Sequence, residues 1–280
     1  MPSPLAGPFR RDRFFQIGLL LVSLVVGAAF LAPLVAPVGP YQGDPATAYL
    51  LPPSLSHPLG TDTQGRDVLT RVIYGARISL AVGIISQVVA SLLGVTLGLI
   101  SGYYGRRVDA LIMRLADVTL AFPTLLLLIA VAAAVNPSLP VVFVVIGVVG
   151  WAGMARLVRG QVLVLKGAEY VLAARALGAP DHRILFRHLL PNVRAQVIVA
   201  ATLGMAGAIM AEAALSFVGL GAQPPTPSWG SMVADGRDLL RVAPWVSFAP
   251  GIAIGLAVLG FNLVGDTLRE AYDPKLRTER

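Results

Sequence analysis

Three histidines, no cysteine and a few acids in apolar surroundings are the residues with which this 280-residue chain could do chemistry. Without a thiol there is no disulfide framework, no thiolate nucleophile and no cysteine metal ligand. His57, His182 and His188 form no metal-binding pattern, because His182 and His188 stand six apart on a short helical stretch and do not share a face. There is no HExxH and no GxSxG, and no histidine falls inside an apolar run, which points away from an intramembrane enzyme. No GxxxxGK[ST] phosphate loop occurs, and the one Lys-Gly pair, Lys166-Gly167, has the wrong context for nucleotide. Asp117 and Glu212 lie within or at the edge of long apolar runs, where a charge is costly and faces protein or water. Such acids line a pathway, meet a substrate amine, or bond a neighbouring helix; for Glu212 a further reading is that it braces the segment after it.

The elements that must carry these residues are membrane helices. Hydrophobic residues make up 56% of the chain and charged residues 13%, with a mean hydropathy of +0.75. Soluble domains carry about 45–50% apolar and about 25% charged residues, so this chain cannot cover a soluble surface. Six apolar runs stand out, at about 14–38, 78–101, 110–135, 139–158, 193–218 and 245–265. Each approaches or exceeds the roughly 20 residues of a spanning helix, and such unbroken runs are not barrel strands. The expected class is an all-α polytopic bundle of six transmembrane helices. The first run is too long for a signal h-region and lacks a small-residue cleavage site, so it reads as a retained helix. Gly94, Gly98 and Gly102 leave one stripe of the second helix without bulk, which lets a neighbour approach closely.

Charge orients the bundle. The formal net charge is +7, yet the basic residues sit beside apolar runs rather than in a soluble patch, so nucleic acid is not the expected partner. With the N-terminus inside, 17 of the 22 Lys and Arg fall on the inner side and five (Arg66, Arg71, Arg77, Arg237 and Arg241) on the outer. That excess predicts cytoplasmic termini. Segments 39–77 and 219–244 then face outward; their Pro, Gly and Asp suit ordered turns that present a surface. Trp229 and Trp245 are expected to anchor the outer interface.

One inner segment is neither span nor linker. Glu169–Leu177 is rich in strong helix formers, Gly178 stops that helix, and Pro180 and Asp181 suit the first turn of a second. Ile184, Leu185, Leu189 and Leu190 give the second helix an apolar face, and Pro191 is expected to help end it. This helix–glycine–helix elbow is either a packed loop or a docking knob for a soluble protein.

The run from Glu169 through Ala173, Ala174 and Arg175 to Gly178, continued by Ile184, Leu189 and Pro191, resembles the EAA loop of ABC importer permeases. Tyr170-Val171 stands where the motif's first alanines would be; the glycine spacing is intact. Three further stretches resemble the peptide and nickel branch of that family. They are His57-Pro58-Leu59-Gly60-Thr61-Asp62 with Gly65-Arg66-Asp67, Glu212 to Phe217 with Pro225-Thr226-Pro227-Ser228-Trp229-Gly230, and Phe261 to Asp266 with Asp273-Pro274. The C-type permease of dipeptide and oligopeptide importers is matched best.

That resemblance implies a type I ABC importer permease in a bacterial or archaeal cytoplasmic membrane. Residues 1–77 would hold the N-terminal tail, first helix and first extracytoplasmic segment. Residues 78–272 would form the transmembrane core, with the coupling loop at 160–192 and a cytoplasmic tail at 273–280. It further implies a second permease, two ATPase subunits that carry ATP and Mg, an extracytoplasmic substrate-binding protein, and no cofactor on this chain. The substrate would be a dipeptide or oligopeptide, with nickel chelates and glutathione-like peptides as alternatives. The coupling residues would be Glu169, Ala173, Ala174, Arg175, Gly178, Ile184, Leu189 and Pro191. Asp117 and Glu212 stand as pathway candidates, and Asp62, Arg66, Asp67 and Trp229 as a surface for the binding protein. A secondary transporter, coupled to ions through acids within its spans, is the rival reading.

Overall fold

The computed structural model describes residues 12–135 and 138–272. Arg10, Arg11, Asp273, Pro274 and the tail 273–280 with Lys275, Arg277 and Arg280 lie outside the described residues. Helix α1 runs Arg13–Val35, started by the Asp12 carboxylate, which accepts from the Phe14 N–H at 2.8 Å. A one-turn helix α2 (Pro45–Ala48) follows, then α3 (Val68–Tyr104), α4 (Arg106–Ala121), α5 (Thr124–Ala133), α6 (Leu139–Leu165), α7 (Glu169–Ala176), α8 (Asp181–Phe217), α9 (Trp229–Asp235) and α10 (Trp245–Tyr272). Five of these are long and apolar enough to cross a membrane, and α4 with α5 makes a sixth span if the bent pair is counted as one. Large apolar side chains such as Phe30, Leu34 and Leu92 are exposed around the bundle, as expected of helices solvated by lipid.

The third expected span, 110–135, is corrected: α4 and α5 meet at 94°. Pro123 sets the break, because the residue before a proline is pushed out of helical geometry, and Phe122 is extended (φ −85°, ψ 141°). The second span begins at Val68 rather than 78. Its first turns carry Arg71 and Arg77, which lower the apparent hydropathy. Both arginines bond within the protein, Arg71 to Asp62 at 2.5 Å and Arg77 to the Ala29 carbonyl at 2.6 Å.

Helices α3 and α6 pack along the glycine stripe. A Cβ on Gly94 would lie 2.5 Å from Met154 Cβ, one on Gly98 2.8 Å from Val158 Cβ, and one on Gly102 2.7 Å from Val162 Cβ. The backbones therefore approach as closely as the missing side chains allow, which is the expected role of small residues between membrane helices. Helix α8 is also longer than the run 193–218 foretold. Its first turns belong to the elbow, and Ile184–Leu189 is a π-helical stretch in which the Leu190 N–H bonds the Leu185 carbonyl. Pro191 does not end the helix: the widened turn relieves the clash that a proline makes with the carbonyl four residues back. The elbow's second helix and the span are one continuous rod.

Candidate functional site

Two built regions stand at opposite ends of the bundle, the elbow at one and a buried ionic cluster at the other. The elbow closes through backbone bonds. Gly178 N–H reaches the Arg175 carbonyl and Ala179 N–H the Ala174 carbonyl, both at 3.0 Å, with Gly178 at φ +79°. This paired cap satisfies the last carbonyls of α7 and needs a left-handed residue, which glycine supplies without strain. Pro180 then prevents the helix from resuming in register.

One face of the elbow is fixed to the bundle. Val171, Ile184, Leu185 and Leu189 are buried with Leu99 and Tyr103 of α3 and with Val158 and Val162 of α6. Tyr103 donates its hydroxyl to Asp181 at 2.6 Å, the Arg175 guanidinium lies 5.3 Å from the Tyr103 ring centre, and Lys166 Nζ donates to the Gly102 carbonyl at 3.0 Å. The other face is open: Glu169, Ala173, Arg175, Gly178 and Pro191 are exposed, and the tip residue Leu177 is 88% exposed. Of the sequence-predicted coupling residues, Ile184 and Leu189 are buried under the elbow and support it from within. Ala174 is half-buried between the two faces. Tyr103 and Lys166, which hold the elbow, carried no motif of their own.

At the far end, Asp62 organises the segment between α2 and α3. It is 3% exposed and accepts four hydrogen bonds, from Gln64 N at 2.8 Å, Arg66 N at 3.0 Å, Arg66 Nε at 2.7 Å and Arg71 Nη1 at 2.5 Å. Burial pushes its carboxyl upward, but the Arg66 backbone N–H and the Arg71 and Arg66 charges outweigh that and hold it below the ordinary 3.8. Asp67 caps α3 through the Thr70 N–H at 2.8 Å and lies 3.2 Å from His57 Nδ1. The expectation of an open contact surface is thus corrected: Asp62, Arg66 and Trp229 are buried, and Asp67 is partly so. The ionic pairs and the indole give this end its shape instead. Trp229 sits in the core with its indole N–H on the Val72 carbonyl at 2.9 Å, and Trp245 donates to the Thr61 carbonyl at 3.1 Å. Arg71, which completes the cluster, falls nine residues after Asp62 and was not singled out from the sequence.

The two acids differ. Asp117 is 61% exposed on α4 and pairs with Arg156 of α6. Glu212 is fully buried; its Oε1 accepts from Ser216 Oγ at 2.7 Å and from Ser228 Oγ at 2.8 Å. Ser228 is itself the N-cap of α9, so Glu212 ties α8 to the segment that follows, the bracing role. As a pathway residue it is corrected, since an enclosed carboxylate bonded to two hydroxyls meets no passing solute.

Known proteins agree with this architecture. Residues 94–278 match the family of binding-protein-dependent transport system inner membrane components, and residues 8–53 match the N-terminal transmembrane domain of oligopeptide transport permease C. The dipeptide transport system permease protein DppC of Alkalihalophilus pseudofirmus is 45% identical, over 96% of this chain and 88% of its own length. The oligopeptide transport system permease protein OppC of Bacillus subtilis is 42% identical over the same shares, 96% and 88%. The glutathione transport system permease protein GsiD of Pectobacterium atrosepticum is 44% identical, over 96% and 90%. Among solved structures, the MetNI methionine ABC transporter in inward facing conformations has a TM-score of 0.59 at 19% identity, covering 72% of this chain and 97% of that one. At that identity the likeness speaks for the fold, that of an ABC importer permease. The chain belongs to the binding-protein-dependent transport system inner membrane components, as a multi-pass permease subunit of an ABC importer.

Proposed function

We propose that the chain forms one half of the translocation pathway for dipeptides or oligopeptides, working with a second permease, two ATPase subunits and an extracytoplasmic binding protein. The elbow is the observation that carries this reading. Its buried face is locked to α3 and α6, its second helix is continuous with the span α8, and its tip presents Leu177 and Gly178 to whatever docks there. A push on such a knob turns a whole helix rather than a loop. The elbow end is assigned to the cytoplasm, together with both termini, on the excess of arginine and lysine there. ATP and Mg belong on the ATPase chains, and no cofactor is assigned to this one. ATP-driven closure of the ATPase pair would move the elbow and switch the pathway from inward-facing to outward-facing. The peptide assignment is supported by the relatives named for dipeptide and oligopeptide transport.

Affinity purification of the tagged chain in mild detergent tests the assembly. A P-loop ATPase and a second permease are expected to co-purify, and adding the binding protein with ATP in liposomes should drive uptake of a labelled dipeptide. Recovery of the chain alone, with peptide uptake driven by an ion gradient, would replace this reading with a secondary transporter. The purified chain by itself should hydrolyse no ATP.

A further inference from the structure

The far end contains a cavity of about 420 Å³ that the bracing role of that end leaves unused. Its walls come from both far-end segments and include Arg66 and Arg71 on one side and Ser216, Gln223, Thr226 and Arg237 on the other. Cavities of about 300–1,000 Å³ with a few convergent polar groups are typical small-molecule sites. Arg71 is the unusual member. Its side chain is 4% exposed, yet among the described residues its hydrogen bonding is the single Nη1 contact with Asp62, and the enclosed Nε has no acceptor. A guanidinium offers five N–H donors, and the Nη2 end of Arg71, 3.9 Å from Asp235 at the cavity wall, is the part that no hydrogen bond among the described residues takes up.

Every arginine at the cavity is ion-paired, Arg66 and Arg71 with Asp62 and Arg237 with Asp238, so unused N–H donors rather than net charge suit the space to an acceptor. Asp62 is saturated by its four hydrogen bonds and has nothing left to offer Arg71. Asp235 lies at the wall but 3.9 Å from Arg71 Nη2, too far for a hydrogen bond, and burial pushes its carboxyl upward. Arg237 stands 5.6 Å from the Phe217 ring centre, and its ionic partner Asp238 is its exposed neighbour in sequence. The guanidiniums of Arg66, Arg71 and Arg237 thus line one space, each with terminal N–H donors beyond those its aspartate takes up. Arginine's planar fork matches a carboxylate.

We propose that this cavity is a subsite for the C-terminal carboxylate of a short peptide, held at the far end of the permease before it enters the pathway. The proposal deepens the peptide-import reading and rests on it. The site selects for a free terminal carboxylate and is indifferent to side chains, which suits a permease whose substrates differ in sequence.

Because the chain has no cysteine, one introduced thiol reports on the cavity. Ala234 lines it and is half-buried, so Ala234→Cys in the purified complex in nanodiscs can be labelled with a small maleimide and read by the intact mass of this chain. Dialanine is expected to slow labelling several-fold, dialanine amide to leave it unchanged, and Arg237→Gln to remove most of the protection. Equal protection by acid and amide, or protection by neither, overturns the subsite. Protection by the empty binding protein but not by dialanine also overturns it, since a protein side-chain carboxylate would then occupy the cavity. Uptake of labelled dialanine by the same complex is measured separately. Uptake without protection sinks the subsite alone, whereas no uptake by the wild-type complex sinks the import reading beneath it.

Discussion

Glu212 and Asp62 are both buried acids, and the way each is paired sets what its replacement does. Glu212 uses one oxygen for two serine hydroxyls, and Oε2 has no partner among the described residues. Glu212→Gln keeps an acceptor oxygen of the same size, so thermal stability in detergent and peptide uptake should both survive. Glu212→Ala leaves two buried hydroxyl protons without their acceptor and should cost about 1–3 kcal/mol per lost partner, seen as a lower unfolding midpoint. A loss of uptake by Glu212→Gln with unchanged stability would restore the pathway role. Asp62 is different because it neutralises two arginines at once. Removing it by Asp62→Ala strands buried charge and should cost about 3–5 kcal/mol, measured as lost protection of residues 61–71 in amide exchange. Its carboxyl is depressed on folding, so its contribution is complete above the unfolded value of 3.8 and fades only as pH falls through the lower folded value. Exchange protection there should accordingly hold unchanged from neutral pH down to the ordinary carboxylate range and weaken only below it.

Among the elements, close packing and broken helices divide the work. The α3–α6 contact leaves no room at Gly98, where an added Cβ would already lie 2.6 Å from the Ala155 carbonyl and 2.8 Å from Val158 Cβ. Gly98→Leu should therefore part the two helices and abolish a monodisperse detergent peak, while Leu92→Ala on the exposed side of the same helix should leave it intact. The bent pair α4–α5 behaves as two pieces joined at Pro123. Helix α4 is held to α6 by Arg159, which donates to both Asp109 oxygens, at 2.5 and 2.7 Å. Arg159→Gln should loosen the start of α4 while the Asp117–Arg156 pair remains, giving faster proteolysis near Gly105 at an unchanged helical content.

On the scale of the whole molecule, the elbow is built to transmit force. It is fastened to α3 and α6 and is continuous with α8, and its tip is open around Gly178, where an added Cβ would meet nothing within 4 Å. Space is therefore not the obstacle to a side chain there; conformation and the docking surface are. Gly178→Asp should insert normally and keep its stability to within about 1–2 kcal/mol, the order of cost of a left-handed non-glycine residue. It should nonetheless uncouple ATP hydrolysis from uptake in the reconstituted complex. Full uptake by that variant would remove the elbow from the coupling path.

Local sequence sufficed wherever the deciding physics was local. Run length made the chain a helical membrane bundle, the four-residue glycine spacing named the α3 stripe, and Gly178 with Pro180 marked the elbow's turn. The resemblance of the Glu169–Pro191 stretch marked it as a coupling loop, but which of its residues face outward was decided only when Ile184 and Leu189 packed against α3 and α6. Hydropathy adds residues one at a time, so it shortened α3 at the arginines and missed that Asp62 cancels Arg71 nine positions away. The resemblance put Asp62, Arg66 and Trp229 on a surface, although pairing and packing bury them. Pro123 was visible in the sequence, but an apolar run on its far side concealed that the chain turns there by 94°. Burial of charge is a property of pairs brought together by the fold, and only the tertiary structure could decide it.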